Sequence, residues 1–447
     1  MNVAFLNRPT WRRQFQAATE RRLRPRPSDA EAARFQLAAI QRTWADAVAD
    51  IPYYSGLVAS GAAPAACRDW TDVARLPVLT RHLLQQRPDQ FIRRSGPPAT
   101  FASTAGSTGT PLCIGMNQAE RDLMRVVKVA AWQDFGYTLS SRLFLIWGHA
   151  HLLGTGWRGR VNHWRRKAAD ALIGYQRVDA YRLNRAACEA HAEALLRFGP
   201  LGVIGYASAL DLFARYTSQY RDRFRALGVR FVLSTAEAPP RPDTIAILED
   251  LFGCPVVEEY GGAEFGQVAF RRQPRAFDVF HDLNYVEAEA AEPDSGARPL
   301  LVTTLYQRYL PLIRYRPGDA VHGAELLPHG HVPRFQSVAG RVNDVIHLAN
   351  GDAIHSVAVF HCIHQEREVQ SIQMVLRDDG IAISLVAFGG DQPAIVSRVR
   401  ARLAQVHPIL ADARVRFVED QLTSGAGKRR WYVDHRTTTS CAASPAS

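Results

Sequence analysis

The chain is 447 residues long, 47% hydrophobic and 22% charged, with 54 Lys plus Arg against 43 Asp plus Glu and a formal net charge of +11. That composition is ordinary for a soluble globular protein, and the length admits a large domain with one or two smaller ones. No uninterrupted apolar run reaches about 18 residues, so no membrane-spanning helix is expected.

The first residues, Met1 to Arg13, lack a basic-then-apolar signal segment, and the cytoplasm is the expected compartment. Residues 1–55 read mainly as helices; the clearest is 30–49, where Ala, Phe, Leu and Ile recur at helical spacing. Pro and Gly turns make 53–84 read as a surface wrap around a later core. From Pro98 the pattern alternates. Strands are predicted at 142–147, 201–205, 230–234 and 255–259, and helices at 189–198, 209–224 and 243–252. This alternation predicts an α/β domain, closed by strands at 285–291 and 299–306. A boundary falls between Arg341 and Gly351. Beyond it, strands at 368–376 and 381–389, a helix at 394–406 and a strand at 413–419 predict a compact α+β domain. The expected division is 1–340, 341–435 and a tail at 436–447 without fixed structure.

The six cysteines, Cys67, Cys113, Cys188, Cys254, Cys362 and Cys441, show neither disulfide-framework nor metal spacing and read as unpaired thiols. Positive charge concentrates in Trp157–Lys167, with five basic residues and two tryptophans, and in Trp11–Arg26. A polyanion site and a solvated basic face fit these stretches equally well. No nucleic-acid fold accompanies them, so a nucleic-acid partner is not expected. Arginine serves almost everywhere: only Lys128, Lys167 and Lys428 are lysines. A lysine in such a chain has a better than usual chance of being required by chemistry.

Four segments carry candidate chemistry. In Ser103 to Pro111, two glycines permit tight backbone geometry, and five hydroxyl side chains with nearby amides can surround phosphate oxygens. No Gly-Lys-Ser/Thr ends the segment, so it is not a P-loop, and an ordinary turn is the alternative. Glu258 to Glu264 reads as an acidic turn after a buried strand, at the carboxyl end of a sheet where ligands bind. There Tyr260 can stack on adenine, Gly261 and Gly262 allow close approach, and Glu264 can ligate Mg²⁺; a solvated acidic loop is the plain alternative. Asp319, in Tyr315 to Asp319, can accept hydrogen bonds from both ribose hydroxyls or can simply occupy a turn. In Thr423 to Arg429 a glycine-containing loop can carry Lys428 to a reaction centre, where its charge stabilises attack at the α-phosphate; an exposed basic loop is the alternative.

In this order, and with Gly340 to Ile346 between the last two, these motifs resemble those of the adenylate-forming (AMP-binding) superfamily over roughly residues 50–435. Within it the likeness is strongest to the phenylacetate-CoA ligase family and its CapK-like and coenzyme F390 synthetase-like members. The resemblance implies a large multi-subdomain α/β N-terminal domain and a small mobile α+β C-terminal domain. It implies ATP-dependent adenylation of a small carboxylic acid with release of pyrophosphate, then transfer to CoA or to the phosphopantetheine thiol of a carrier protein. Transfer to an amine or hydroxyl acceptor is one alternative; a non-catalytic nucleotide-binding or RNA-binding protein is another.

By the same resemblance Ser103, Thr104, Gly106, Ser107, Thr108 and Gly109 would hold the ATP phosphates. Glu237, Tyr260 and Gly261 would border the nucleotide, Asp319 would bind ribose, and Arg341 would make a second nucleotide contact. Glu264 would hold Mg²⁺ and Lys428 would catalyse adenylation. The acid pocket would involve His149 and His151, Tyr206 and Ser208, and Gly262. The two histidines lack a third ligand, so no metal is assigned to them. The chain departs from the family pattern at Thr110, Ala263, Pro317 and Asn343.

Overall fold

The structure is a computed structural model. It describes residues 13, 15–20, 27–96, 98, 100–104, 112–147, 156–180, 183, 185–272, 276–293, 295–341, 345–347, 353–355, 359, 363, 366, 368–387, 389–419 and 432–435. Two compact units divide the chain, Met1–Val342 and Asn343–Ser447.

Helix α1 (Asp29–Asp50) starts at a capping box, in which the Ser28 backbone N–H donates to Glu31 Oε2 at 2.9 Å while the Ser28 side chain accepts from the Glu31 N–H. Its buried residues Gln36, Ala39, Ile40, Trp44 and Ala47 follow helical spacing on one face. Helix α2 (Pro52–Ala59) begins on Pro52, whose fixed φ suits a first turn. Helix α3 (Trp70–Arg75), the short strand β1 (Leu79–Thr80) and helix α4 (Arg81–Gln86) follow. The surface wrap expected over 53–84 is thereby corrected. The turn residues separate short helices, and Tyr54, Val73, Leu76, Leu79 and Leu84 are part of the main core.

Strands β2 (Thr100–Thr104) and β3 (Leu112–Met116) pair as an antiparallel hairpin. Helix α5 (Gln118–Trp132) is capped by Asn117, which accepts from the Glu120 N–H at 2.8 Å. An alternating stretch follows: β4 (Leu143–Ile146), α6 (Gly156–Leu172), β5 (Tyr175–Val178), α7 (Arg185–Phe198), β6 (Gly202–Tyr206), α8 (Ala207–Tyr216), α9 (Arg221–Ala226), β7 (Phe231–Thr235), α10 (Thr244–Phe252) and β8 (Val256–Gly262). The single helix expected over 209–224 is two. Thr217 bonds back to the Phe213 carbonyl through its hydroxyl at 2.7 Å and ends α8. The basic stretch Trp157–Lys167 is helical within α6 and leaves Trp157 and Trp164 exposed.

Strands β9 (Gly266–Arg272) and β10 (Phe277–Val279) continue the sheet. Strands β11 (Asn284–Ala288), β12 (Arg298–Thr304), β13 (Tyr315–Arg316) and β14 (Asp319–His322) leave it, before β15 (Arg334–Phe335) returns and β16 (Ser337–Arg341) ends the unit. The central eight-stranded sheet runs β15-β10-β9-β8-β7-β6-β4-β5, parallel from β8 to β5 and antiparallel beyond β8. Inside its parallel part, every residue of β4 and of β7 is buried, as strands covered on both faces require. A second sheet runs β1-β13-β12-β14-β16, with β11 on β12.

The second unit has a small hairpin, β17 (Val345–His347) with β18 (Ala353–His355). Its main sheet is formed by β19 (Val369–Arg377), β20 (Gly380–Ala387), β21 (Arg414–Phe417) and β22 (Tyr432–Asp434), in the order β21-β20-β19-β22. Gly380 holds the β19–β20 turn at φ 125, a conformation that L side chains avoid. Helix α11 (Gln392–Val406) packs Ile395, Val399 and Leu403 against Ile372, Met374 and Leu385. The chain is therefore a large α/β N-terminal domain followed by a smaller α+β domain. Among the described residues no helix is long and apolar enough to cross a membrane, and Cys67 and Cys254 are free thiols.

Candidate functional site

Strands β6, β7 and β8 run parallel and end at Tyr206, Thr235 and Gly262, so their carboxyl ends share one edge of the sheet. Open α/β sheets bind ligands at that edge. Strand β8 extends through Tyr260, Gly261 and Gly262, so the acidic turn expected at Glu258 to Glu264 is a strand end and a tight hairpin. Tyr260 is 7% exposed, with its ring edge-to-face on Phe335 at 5.8 Å. Its hydroxyl donates to Asp319 Oδ2 at 3.0 Å. Asp319 opens β14, where its cross-strand partner is Arg341. Two motifs 59 residues apart are thus joined by one hydrogen bond.

Gly261 and Gly262 were expected to make room for a ligand. The hairpin itself requires them. A Cβ on Gly261 would lie 2.4 Å from the Gly266 carbonyl oxygen, and one on Gly262 would lie 2.7 Å from the Phe265 ring. The turn that follows carries Glu264, whose Oε1 accepts from Arg81 Nη1 at 3.1 Å. Arg81 is the first residue of α4. Among the described residues no group of three or more His, Cys, Asp or Glu side chains could hold a metal. One buried carboxylate suits magnesium that arrives on a triphosphate, whose oxygens and waters complete its shell.

After β7, Ala236 adopts φ 74, sparsely populated for a residue with a side chain. The turn brings Glu237 to α8, where its Oε1 accepts from the Ser208 N–H at 2.8 Å and from the Ser208 hydroxyl at 2.5 Å. Glu237, expected beside the nucleotide, and Ser208, expected beside the acid, are thus brought together and cap a helix with one another.

Successive residues of a strand face opposite ways, so Glu259 points away from Tyr260 and lies under α5. Its Oε1 is 3.2 Å from Lys128 Nζ and accepts from Gln267 Nε2 at 2.8 Å. Tyr206 stacks on Trp147 with ring centroids 4.2 Å apart, and Lys128 Nζ lies 6.0 Å from the rings of both Trp147 and Trp132. Glu259 lies within the segment Glu258 to Glu264 but has no role there on sequence grounds, and nothing along the chain points to Gln267 or Arg81. The scarcity of lysine was the one available signal for Lys128.

Ser103 and Thr104 lie on β2, opposite Cys113 and Leu112. Gly106, Ser107, Thr108, Gly109, His149, His151 and Lys428 lie outside the described residues, as do Thr110 and Asn343.

A crystal structure of 2-hydroxyisobutyryl-CoA ligase, in the postadenylation state with R3-HIB-AMP, superposes with a TM-score of 0.65 and 15% identity, covering 92% of this chain and 94% of that one. An open conformation of the same ligase, in complex with 2-HIB-AMP and CoA, gives 0.55 and 17% identity over 92% and 96%. This chain has the adenylate-forming fold. In sequence, Protein CapK from Staphylococcus aureus is 21% identical over 376 residues, 81% of this chain and 80% of that protein. No protein-family model matches the chain. At these identities the adenylate-forming fold is what the comparisons carry.

Proposed function

We propose that the chain activates a carboxylic acid by adenylation, using ATP and releasing pyrophosphate. The observation that carries this reading is the Tyr260–Asp319 hydrogen bond beside the Glu264 turn, at the ligand edge of an adenylate-forming fold. A carboxylate held by a tyrosine hydroxyl is preorganised to accept from the 2′- and 3′-hydroxyls of ribose. The β2–β3 hairpin flanks the Ser/Thr/Gly-rich segment, which would surround the phosphates. Arg341, across the strand pair from Asp319, would make a second nucleotide contact. Magnesium carried on the triphosphate would neutralise its charge, with Glu264 as the protein ligand.

In the reaction a carboxylate oxygen of the acid attacks the α-phosphorus as the bond to the bridging oxygen breaks. The products are an acyl adenylate and pyrophosphate. Lys428 stabilises the negative charge that builds on the α-phosphate and orients the attacking carboxylate. His149, His151, Tyr206, Ser208 and Gly262 border the acid. The second step is attack by a thiol, of CoA or of carrier-protein phosphopantetheine, with AMP leaving. The CoA complex of 2-hydroxyisobutyryl-CoA ligase supports a thiol acceptor. The likeness to Protein CapK over four-fifths of both chains supports a place in the phenylacetate-CoA ligase family.

The test is a screen of carboxylic acids for ATP–pyrophosphate exchange, followed by trials with CoA, holo-carrier proteins and amines as acceptors. Exchange driven by an acid supports the reading. Absence of exchange across a broad panel, by a protein that binds ATP, refutes it. Lys428→Ala should lower exchange about 100-fold or more with the fold retained; undiminished exchange would remove Lys428 from the mechanism.

A further inference from the structure

The Glu259 side chain is 4% exposed, and both of its protein partners, Lys128 and Gln267, sit on Oε1. Among the described residues its buried Oε2 has no hydrogen-bond partner, and neither has the buried Gln267 Oε1. An unsatisfied buried polar atom costs about 1–3 kcal/mol. Two acceptors without partners, on side chains that hydrogen-bond to each other, are therefore an arrangement that a ligand can complete. They lie at the ligand edge of the sheet, on the face opposite Tyr260 and Asp319, beside the aromatic surface of Trp147, Tyr206 and Trp132.

We propose that Glu259 and Gln267 form a receptor for a hydroxyl group, so that the acid this protein activates is a hydroxylated carboxylic acid. This rests on the adenylation reading and specifies its substrate. An ammonium substituent would meet the Lys128 charge 3.2 Å from the same carboxylate. A second carboxylate brings no donor for Oε2 and is repelled by Glu259. A hydrocarbon skeleton seals both acceptors away from water without a donor. A neutral hydroxyl donates its proton to Glu259 Oε2 without disturbing the balance of the Lys128–Glu259 pair. The flat, apolar Trp147–Tyr206 stack favours an aromatic skeleton bearing that hydroxyl.

A site built to bond a hydroxyl rejects the analogue that lacks it far more strongly than an apolar pocket rejects a methylene, and about 100-fold or more is expected. The full chain is titrated calorimetrically with matched pairs: 4-hydroxyphenylacetate with phenylacetate, and 3- and 4-hydroxybenzoate with benzoate. ATP–pyrophosphate exchange is measured on the same acids. The expected result is tighter binding of a hydroxylated member by about 100-fold, with Glu259→Gln shrinking that ratio to within about ten-fold. Gln267→Leu, which keeps the Lys128–Glu259 pair, must lower the same ratio and serves if Glu259→Gln does not fold.

Equal binding within every pair, a ratio unmoved by either substitution, or no binding of any hydroxylated acid overturns the proposal. Hydroxyl-selective binding without exchange sustains the receptor and sinks adenylation. Exchange without hydroxyl preference does the reverse.

Discussion

Replacing Asp319 with alanine tests the nucleotide reading most directly. The carboxylate is held at 3.0 Å by the Tyr260 hydroxyl and would accept two further hydrogen bonds from ribose. A hydrogen bond to a charged group contributes about 1.5–3 kcal/mol, so losing two weakens nucleotide recognition by about 3 kcal/mol or more. At 1.36 kcal/mol per factor of ten, kcat/KM for ATP falls about 100-fold or more. The assay is ATP–pyrophosphate exchange against ATP concentration, repeated with 2′-deoxy-ATP and 3′-deoxy-ATP. In the native enzyme each deoxy analogue is penalised; in Asp319→Ala that penalty disappears, because the group reading the missing hydroxyl is gone. Tyr260→Phe keeps the packed ring and removes only the hydroxyl that orients Asp319, so a smaller loss of about ten-fold is expected. The double variant should be no worse than Asp319→Ala alone, since the tyrosine acts through the aspartate. A kcat/KM for ATP within two-fold of native, or a deoxy penalty that survives in Asp319→Ala, would refute the reasoning.

Two further expectations concern stability. Arg308 is 1% exposed, 3.7 Å from Glu120 and 5.6 Å from the centre of the Tyr306 ring. Arg308→Met strands the Glu120 charge in the core and should cost about 3–5 kcal/mol by denaturant unfolding, whereas Arg308→Met with Glu120→Gln should recover much of it; a single-variant cost under about 1 kcal/mol would contradict this. Asp50 accepts from the Ser95 hydroxyl at 2.6 Å and from Arg93 at 2.9 Å, and these bonds hold its carboxyl down at about 2. Because the folded value lies below the unfolded one, the stabilisation is present above about pH 4 and lost as the pH falls toward 2. For a partly exposed group Asp50→Asn should cost about 1 kcal/mol at neutral pH, with the gap from native closing in acid unfolding curves.

The elements were legible where a local period reports a buried face. The strand expected at 230–234 is Phe231–Thr235, the helix at 243–252 is Thr244–Phe252, and the helix at 394–406 is Gln392–Val406. The segment 53–84 was misread because its Pro and Gly residues mark turns without telling whether the short helices between them are covered. That depends on Tyr54 meeting the Pro311 carbonyl at 2.9 Å across the chain. The helix over 209–224 breaks at Thr217, whose hydroxyl joins its own backbone N–H on the Phe213 carbonyl.

At the site, the sequence by itself placed Tyr260 and Glu264 after one apolar run, and Asp319 in the motif Tyr315 to Asp319. Tertiary structure decided their partners. It set the Tyr260 hydroxyl on Asp319. It spent Glu237 on Ser208, and it brought Lys128 from a helix to Glu259 on a strand. Backbone periodicity is set by neighbours a few residues away, and so it can be read along the chain. A hydrogen bond or ion pair between remote segments depends on sheet order, strand register and the pleat, which exist only once the strands have paired.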